Sequence, residues 1–359
     1  MFLLKNVKRY LFQIVQREKK PFFLTPFFFF ISAFFSLGVR LRNVTYDTGL
    51  RRVHKLPICV VSIGNIVAGG TGKTPLIQKI VKHLDPNIRL AILTRGFLSR
   101  IEASGRVEKI SEGKGCVLPV QHCGDEPYLL AKTTTVPIWV GKNRMESGRR
   151  ALAEKMQCVL LDDGMQYRSL ARDLEIVVID AKDPFGQTKF LPSGLLRDTP
   201  SRLHQADWII ANHVDSFYQY EELKKKLSFY TLAPVIGMKV AVCHSQEIAG
   251  KKVGMFCALG RPERFLQTVK EIGCSVVDRV FLPDHMPFEL HELHAFAKRC
   301  KDKAAEMIVC TEKDWVKLPS FACCIPVMAL RVELEVVAGH TLWQEMLDRI
   351  EFFSNKGHR

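Results

Sequence analysis

The chain lacks the cysteine pattern of a disulfide-stapled protein. Its 359 residues include 11 cysteines, and no two of them form a Cys-x-x-Cys pair. Cysteines this dilute in a long chain indicate reduced thiols in a cytosolic compartment. Most of them, Cys158, Cys257 and Cys310 for example, lie inside apolar runs, where a free cysteine behaves as a small hydrophobic residue. We therefore assign no cysteine a chemical role.

Acidic residues are also scarce relative to basic ones. The chain has 37 Asp and Glu against 52 Lys and Arg, a formal net charge of +15. An excess of this size predicts an anionic partner: nucleic acid, a phosphate-bearing substrate or an acidic membrane surface. Apolar residues at 47% and charged residues at 25% exclude disorder, collagen and coiled coil.

One stretch contains no charge at all, the 19 residues between Lys20 and Arg40. It contains eight phenylalanines: Phe22, Phe23, Phe27, Phe28, Phe29, Phe30, Phe34 and Phe35. As a helix it is about 28 Å long, close to one hydrocarbon thickness. A core helix is one alternative, although a core helix rarely lacks a polar face. A cleaved signal peptide is another, disfavoured because the apolar run starts only at residue 21.

Basic residues flank this stretch on both sides. They are Lys5, Lys8, Arg9, Arg17, Lys19 and Lys20 before it, and Arg40, Arg42, Arg51, Arg52 and Lys55 after it. A spanning helix would leave one basic cluster outside, against the positive-inside bias. The flanks favour a monotopic element inserted from the cytoplasmic face of the inner (plasma) membrane, with residues 1–20 on that face and both clusters touching acidic headgroups.

The rest of the chain alternates short Val/Ile/Leu-rich runs with amphipathic stretches, which predicts an α/β fold with a parallel sheet. The first set of candidate strands is Ile58–Ile63, Arg89–Leu93, Ile138–Val140, Cys158–Leu161, Glu175–Ile179 and Trp208–Ala211. The second set is Val235–Val242, Val253–Ala258, Ser275–Phe281, Met307–Cys310 and Met328–Val336. We expect a membrane-associated segment over residues 1–40, a P-loop domain over 41–225 and a smaller α/β domain over 226–359.

A glycine-rich loop follows the first predicted strand and precedes the helical pattern Leu76–Leu84. Its residues Val67, Ala68, Gly69, Gly70, Thr71, Gly72, Lys73 and Thr74 form the predicted binding loop for the phosphates of ATP. A strand, such a turn and a helix N-terminus direct backbone N–H groups at a phosphate chain. Lys73 adds a charge for the β/γ-phosphates, and the Thr74 hydroxyl is a ligand for Mg²⁺. Val67 departs from the generic pattern, where the first glycine would stand.

Two carboxylates, Asp162 and Asp163, follow the apolar run Cys158–Leu161. They are expected at the carboxyl edge of a buried parallel strand, where such sheets bind ligands, and we predict that they order the metal. Asp180, after Glu175–Ile179, is the competing candidate.

Three other polar clusters are less specific. Gly124–Pro127 is compatible with a turn and a helix N-cap, and Leu191–Asp198 with a surface loop. His291 and His294 lie in a His-Glu-Leu-His segment, but the zinc motif would need histidine at 295, which is alanine. Metalloprotease chemistry is therefore disfavoured.

Taken together, the motifs resemble the tetraacyldisaccharide 4'-kinase family in their order. The motifs are Gly64–Pro75, Thr94–Phe97, Gly124–Pro127, Asp162–Gln166, Arg172-Asp173, Leu191–Asp198, Asp284-His285 and Thr311–Lys317. The resemblance covers the chain from the Phe-rich N-terminus to about residue 317. It implies a membrane-associated enzyme that transfers the γ-phosphoryl of ATP, with Mg²⁺, to the 4'-hydroxyl of the lipid A disaccharide precursor.

The resemblance also implies residue roles. Asp125 of the Gly-Asp-Glu-Pro motif is the catalytic carboxylate and His285 of the Asp-His motif assists it, with the site between the two domains. Arg144, Arg197 and Gln166 match family motifs and are assigned to phosphate or substrate, without deciding which arginine contacts which. The chain departs from the pattern at Tyr167, where histidine is common, at Leu195, where proline is, and at Asp198, where glutamate is.

Two rival functions fit parts of the pattern. Membrane-bound partitioning ATPases also carry Gly-Gly-x-Gly-Lys-Thr, but their signature lysine precedes the paired glycines, and this chain has Ala68 there. A nucleic-acid-binding ATPase would interleave basic and aromatic residues in one patch. Here the positive charge is dispersed and the aromatics concentrate in the uncharged stretch, so we expect no nucleic-acid partner.

Overall fold

The computed structural model describes residues 25–318 and 323–356, which divide into two compact units. The larger unit takes its described residues from Phe22–Val240 and Leu334–Arg359, and the smaller one spans Ala241–Glu333. This division differs from the boundary expected at residue 225. Strand Val235–Val242 hydrogen-bonds to the preceding strand of the large sheet, and the C-terminal helix packs on that sheet, so both belong with the first unit.

A nine-stranded sheet forms the centre of the larger unit. Its strands are β1 Cys59–Gly64, β2 Leu90–Thr94, β3 Val107–Glu112, β4 Pro137–Gly141, β5 Cys158–Asp162, β6 Leu174–Asp180, β7 Trp208–Asn212, β8 Val235–Val242 and β13 Val332–Ala338. They lie in the order β13-β8-β7-β6-β1-β5-β2-β4-β3 across the sheet. Strands β1, β2, β4, β5, β6, β7 and β8 pair in parallel, whereas β3 runs antiparallel to β4.

Helices cover both faces of this sheet, which is why its central strands are apolar runs rather than alternating patterns. The helices are α1 Thr25–Asp47, α2 Lys73–His83, α3 Arg100–Ser104, α4 Val120–Cys123, α5 Asp125–Thr133, α6 Arg144–Ala153, α7 Phe217–Leu227 and α11 His340–Lys356. Strands β1, β2, β5, β6 and β7 are buried at every position. Helices α2 and α11 pack on one face, and α7 packs on the other.

The smaller unit contains β9 Lys252–Cys257, α8 Pro262–Glu271, β10 Ser275–Phe281, α9 Leu290–Asp302, β11 Met307–Thr311, α10 Glu312–Trp315 and β12 Val327–Leu330. Its strands form a parallel sheet in the order β10-β9-β11-β12, with its own apolar cores. The predicted α/β class with a large parallel sheet is confirmed. Strand β3 was not predicted, and the single strand expected over Met328–Val336 is two strands, β12 and β13, in different sheets.

Helix α1 carries the described part of the uncharged stretch. Residues Pro26–Asp47 are long and apolar enough to cross a membrane, with 17% of the most apolar window buried. Phe27, Phe29, Phe30 and Phe34 are exposed, Phe34 by 73%. A core helix would bury these rings, so that alternative does not describe α1. Phe22, Phe23 and the basic residues up to Lys20 lie outside the described residues.

The opposite face of α1 is fastened to the larger unit along its length. Ser32 Oγ donates a hydrogen bond of 2.7 Å to the carbonyl of Phe190. Farther along the helix, Arg42 and Asn43 donate to the buried Asp198 carboxylate at 2.9 and 2.8 Å. Arg168 donates to the Asn43 carbonyl at 3.0 Å. Asp198 therefore anchors α1. The departure from glutamate at this position affects the contact between α1 and the rest of the larger unit.

We predict that Asp198→Ala lowers the free energy of unfolding by about 2 kcal/mol or more, because Arg42 and the buried Asn43 of α1 lose their acceptor. The measurement is thermal and urea unfolding of the purified protein. Asp215→Ala is the matched control, since its ion pair with Lys182 is largely exposed, and it should change stability by less than about 0.5 kcal/mol. Equal effects of the two variants would contradict the anchor.

Candidate active site

The loop after β1 makes a tight turn into the N-terminus of α2, which begins at Lys73. Gly72, directly before it, is left-handed with a φ of 93°. A Cβ atom on Gly72 would lie 2.1 Å from the amide nitrogen of Asn212. Glycine is required here, because the turn needs positive φ and leaves no room for a side chain. The first backbone N–H groups of α2 and its positive dipole end thus form an anion site.

The segment Leu191–Asp198 lies against this loop rather than on the surface. The Ala68 amide donates to the Leu195 carbonyl at 2.6 Å, and the Arg197 amide donates to the Ile66 carbonyl at 2.8 Å. Backbone pairing of this kind fixes the path of the loop and brings the side chain of Arg197 to it. The family motif at Leu191–Asp198 is therefore part of the loop's support.

Three amide side chains brace the loop from behind. Asn65 Nδ2 donates to Thr71 Oγ1 at 2.9 Å, and Asn212 Nδ2 donates to the Thr71 carbonyl at 3.1 Å. Gln166 Nε2 donates to the Asn65 carbonyl at 2.8 Å. The Gln166 Oε1 atom is buried without a hydrogen-bond partner among the described residues. Gln166 thus supports the loop through Asn65, in addition to the phosphate or substrate role that the resemblance implies.

Asp162 ends β5 as a buried carboxylate. Thr94 Oγ1, at the end of the neighbouring strand β2, donates to it at 2.8 Å. Burial and the nearby Glu126 and Asp163 carboxylates raise the pKa of Asp162 to about 6, although Lys73 acts in the opposite direction. Such a carboxylate is poorly balanced by protein cations, and a bound cation would offset its cost of burial.

Asp163, the next residue, is in the opposite electrostatic situation. Arg197 donates to both of its oxygens, at 3.0 and 2.8 Å, and Lys73 Nζ lies 3.3 Å away. Burial alone would raise the pKa of Asp163, but the charges of Lys73 and Arg197 outweigh it and hold the pKa well below its usual range. The two neighbouring carboxylates therefore differ: Asp163 orients cations of the protein, and Asp162 is paired with a hydroxyl.

Arg144 opens helix α6 and is almost completely buried. Its guanidinium lies 5.2 Å from the ring centroid of Tyr167, and Nη1 donates to the Lys142 carbonyl at 3.2 Å. Burial lowers the pKa of Arg144, while Asp162 and Asp163 raise it. Tyr167, where the family commonly has histidine, supplies an aromatic face to this arginine.

Asp125 and Glu126 form the first turn of helix α5, directly after Gly124. The turn after β2 sets this position, because Gly96 has a φ of 68° and a Cβ there would lie 2.8 Å from the Cys123 carbonyl. Glu126 acts on the pKa of both Asp162 and Arg197, which brings the start of α5 into the same charge cluster. Sequence reasoning assigned a role to Asp125 and missed Glu126.

His285 belongs to the smaller unit, where Lys313 organises it. Lys313 Nζ lies 3.0 Å from Asp284 Oδ1 and 3.4 Å from His285 Nε2. His285 itself has a φ of 64°, an uncommon conformation for a residue with a side chain. His285 Nε2 also lies 3.8 Å from Asp284 Oδ2, so Asp284, His285 and Lys313 form one cluster of polar side chains.

The segment Thr311–Lys317 holds Lys313 in place. Thr311 caps the short helix α10, and its hydroxyl donates to Asp314 Oδ2 at 2.6 Å. The same Asp314 oxygen accepts from the Ala258 amide at 3.0 Å, and Lys317 Nζ lies 2.8 Å from Asp314 Oδ1. No role was predicted for this segment. Its place among the family motifs and its charged side chains were the signals in the sequence.

The sheet, the loop and the acidic strand end define a P-loop nucleotide-binding protein with a helical N-terminal segment. A family profile described as tetraacyldisaccharide-1-P 4'-kinase matches residues 23–351. The chain therefore belongs to the tetraacyldisaccharide 4'-kinase family, and it is a kinase with an alcohol group as acceptor. The partitioning ATPase is not favoured by this match.

Curated relatives and a solved structure agree. The chain is 33% identical to the tetraacyldisaccharide 4'-kinase of Syntrophus aciditrophicus over 89% of this chain and 91% of that protein. It is 36% identical to the Chlamydia trachomatis protein of the same name, over 83% of each. The crystal structure of LpxK from Aquifex aeolicus, described as an "apo" form in complex with ATP, superposes with a TM-score of 0.68 at 26% identity, covering 92% of this chain and 98% of that one.

Proposed function

We propose that the P-loop of the larger unit binds ATP and that the γ-phosphoryl group passes to the 4'-hydroxyl of a tetraacyldisaccharide 1-phosphate, the lipid A precursor. The observation that carries this proposal is the convergence of Lys73 and Arg197 on Asp163 beside the N-terminus of α2. Two cations and a helix dipole at one point suit a highly charged phosphate chain. We infer the acceptor from the relatives, which are named tetraacyldisaccharide 4'-kinases. We infer ATP from the solved relative, whose crystal structure is described as a complex with ATP.

In this proposal Lys73 and Arg197 release part of their hold on Asp163 to contact the phosphates. Asp163 keeps both side chains extended toward the loop before the nucleotide arrives, so less ordering is needed on binding. Val67, Ala68, Gly69, Gly70, Thr71, Gly72 and Thr74 supply the backbone and the hydroxyl of the loop. Arg144, buried near both carboxylates, contributes a fixed positive charge for the transferring group.

The residues present fit a Mg²⁺ ion. The described residues contain no group of three or more His, Cys, Asp and Glu that could hold a metal alone. Mg²⁺ does not need one, since it is bound by one or two carboxylates together with substrate phosphates and water. Asp162 is the carboxylate that we assign to it, with Thr74 and with Glu126 nearby. When bound, the ion would neutralise charge on the phosphates.

Asp125 and His285 take the acid–base roles that the motif resemblance implies. A sugar hydroxyl is a weak nucleophile, so a positioned carboxylate has to accept its proton. The bond from the acceptor oxygen to the γ-phosphorus forms as the bond to the bridging oxygen of ADP breaks, and the hydroxyl proton passes to Asp125. We propose that His285, held by Lys313, assists this transfer.

We also propose that the protein lies on the cytoplasmic face of the inner membrane without crossing it. Helix α1 is bonded to the larger unit at Ser32, Arg42 and Asn43, while its phenylalanines face outward. Because α1 is bonded at these points to an ATP-binding unit, the part of the helix from Ser32 onward is held against that unit instead of being free to cross a bilayer. This geometry suits an interfacial helix, with acidic lipids rather than nucleic acid as partner of the basic chain.

The test is transfer of radioactive γ-phosphate from ATP to a tetraacylated glucosamine disaccharide 1-phosphate by the purified protein in detergent micelles. We expect a labelled lipid product that depends on protein, ATP and Mg²⁺. The matched control acceptor lacks the 4'-hydroxyl and should remain unlabelled. ATP hydrolysis without lipid labelling would overturn the kinase proposal in favour of a P-loop ATPase.

Lys313→Met is expected to lower kcat by about tenfold or more, a part of the roughly 10²- to 10⁴-fold that positioned acid–base groups contribute. The variant removes the cation that contacts both Asp284 and His285. KM for ATP should change less than about twofold, since Lys313 positions His285 and does not bind nucleotide.

Lys303→Met is the matched control in the same unit, because Lys303 pairs with Asp278 at an exposed position. It should leave kcat unchanged. Lys313→Arg should restore part of the lost rate. The positioning role of Lys313 is contradicted if Lys313→Met raises KM for ATP and for the lipid without lowering kcat. It is also contradicted if Lys313→Arg lowers kcat as much as Lys313→Met.

A further inference from the structure

A second cluster of exposed apolar side chains lies just beyond helix α7. Phe229 is 82% exposed, Leu232 is 98% exposed, and Tyr230 between them is also exposed. A single exposed apolar residue is ordinary on a protein surface. Three within four residues form a local apolar surface, which is the kind of feature that marks an interaction site. We call Phe229, Tyr230 and Leu232 the second apolar patch.

Aromatic contacts connect this patch to helix α1. The ring of Phe35, in α1, lies 6.2 Å from the ring of Phe190, measured between centroids. Phe185, five residues earlier on the same segment, lies 5.1 Å from the ring of Tyr230. Phe185 and Phe190 both pack against the core beneath α7. The exposed face of α1 and the second apolar patch are thus linked through one short segment.

The segment that links the two apolar surfaces packs on one side of the large sheet, and Leu232 lies near its edge, where it lines a pocket together with Leu342 of α11. Helix α7 and the segment containing Phe185 and Phe190 pack on one face, whereas Trp343 and Leu347 of α11 pack on the opposite face. Phe352, in α11, is half exposed on that opposite side. Phe352 therefore serves as a control for the second apolar patch, because it is an exposed aromatic residue outside the patch.

Basic side chains border the patch. Lys224, Lys225 and Lys226 form the last turn of α7, immediately before Phe229, and all three are exposed. Lys224 pairs with Glu221 at 3.1 Å, and Glu222 lies one residue farther. Lys189, on the connecting segment, is exposed as well. Apolar rings beside lysines match the bilayer interface, where rings insert and ammonium groups meet anionic headgroups.

We propose that Phe229, Tyr230 and Leu232 are a second point of contact with an anionic bilayer, inserted beside α1, with Lys225 and Lys226 at headgroup level. This inference rests on the proposed membrane association and deepens it. Membrane binding strengthens with buried apolar area and with attraction to anionic lipids, so a second contact adds to the affinity that α1 supplies. Two separated contacts also restrict rotation of the larger unit about the axis of α1, which fixes its orientation to the lipid surface.

The first experiment places a reporter in the patch of the full chain. Phe229→Trp is compared with Phe352→Trp, and each with the parent protein, in vesicles of phosphatidylcholine and phosphatidylglycerol that carry brominated acyl chains. We expect added quenching for Phe229→Trp only. If neither added tryptophan is quenched while the parent protein binds the vesicles, the second contact is wrong and membrane association by α1 stands. If the parent protein does not bind, both proposals are overturned.

The second experiment measures affinity. Phe229→Ser/Leu232→Ser should weaken vesicle binding by at least about tenfold, whereas Phe352→Ser should not change it. Lys225→Gln/Lys226→Gln should weaken binding by about tenfold with phosphatidylglycerol present and little with phosphatidylcholine alone. Kinase activity in detergent micelles should survive in all of them. Unchanged vesicle affinity together with an altered oligomeric state in light scattering would assign the patch to a second copy of the chain and overturn the proposal.

Discussion

Replacing Lys73 by alanine is expected to lower kcat by about 10²-fold or more, or roughly 3 kcal/mol of electrostatic stabilisation. Lys73 stands at the N-terminus of α2, and its ammonium lies 3.3 Å from Asp163. Because charge spreads over the phosphoryl oxygens during transfer, a cation at this point stabilises the transition state more than bound ATP. The measurement is steady-state phosphate transfer to the lipid acceptor.

The variant has a second consequence for the site itself. Without Lys73, Asp163 keeps Arg197 as a partner, so the loop should remain folded. Lys82→Ala, in the last turn of the same helix, is the matched control and should keep normal turnover. Turnover of Lys73→Ala within a few-fold of the parent would contradict the assigned phosphate site.

The central strands and the phosphate loop were predictable because their signals are local. Strands buried on both faces appear as continuous apolar runs, as in Cys158–Leu161. The glycine-rich turn is required by its own backbone, since Gly72 needs positive φ. Each of these features is set by a few consecutive residues, and so each could be placed from sequence.

The domain boundary was less predictable, because it depends on pairing between distant segments. Strand β13, which ends at Ala338, joins β8 in the large sheet after the chain has built the smaller unit. Nothing in Met328–Val336 indicates that its two halves serve different sheets. β3 was missed for a related reason: Val107–Glu112 is an edge strand with polar residues and only partial burial.

The charge environment of each carboxylate in the site could not be predicted from the sequence either. Asp162 and Asp163 are neighbours with the same side chain, yet burial with Glu126 raises the pKa of one, and Lys73 with Arg197 lowers that of the other. The charges near each carboxylate come from segments that are distant in sequence: the start of α2, the start of α5 and the segment Leu191–Asp198. The partners of Asp198 were equally unpredictable, because they come from a helix about 155 residues earlier in the chain.

Replacing either Asp125 or His285 by alanine is expected to remove most of the rate of lipid phosphorylation. Replacing both is expected to lower that rate only a little further. Positioned acid–base groups contribute about 10²- to 10⁴-fold, and residues that act as one catalytic unit are strongly non-additive. Asp125→Asn should match the alanine variant, because it keeps the size and polarity of the side chain but not its basicity. The measurement is kcat/KM for lipid phosphorylation in a complete double-mutant cycle.

His291→Ala is the control for loss of an exposed histidine from the same unit, and it should behave like the parent alone and in combination with Asp125→Ala. Each outcome of the cycle has a distinct meaning. Losses that multiply would show that Asp125 and His285 act independently, for instance because His285 only shapes its own unit with Lys313. Near-parental activity of His285→Ala would remove the histidine from the mechanism and, with it, the role proposed for Lys313, while Asp125 and the phosphate loop would keep theirs.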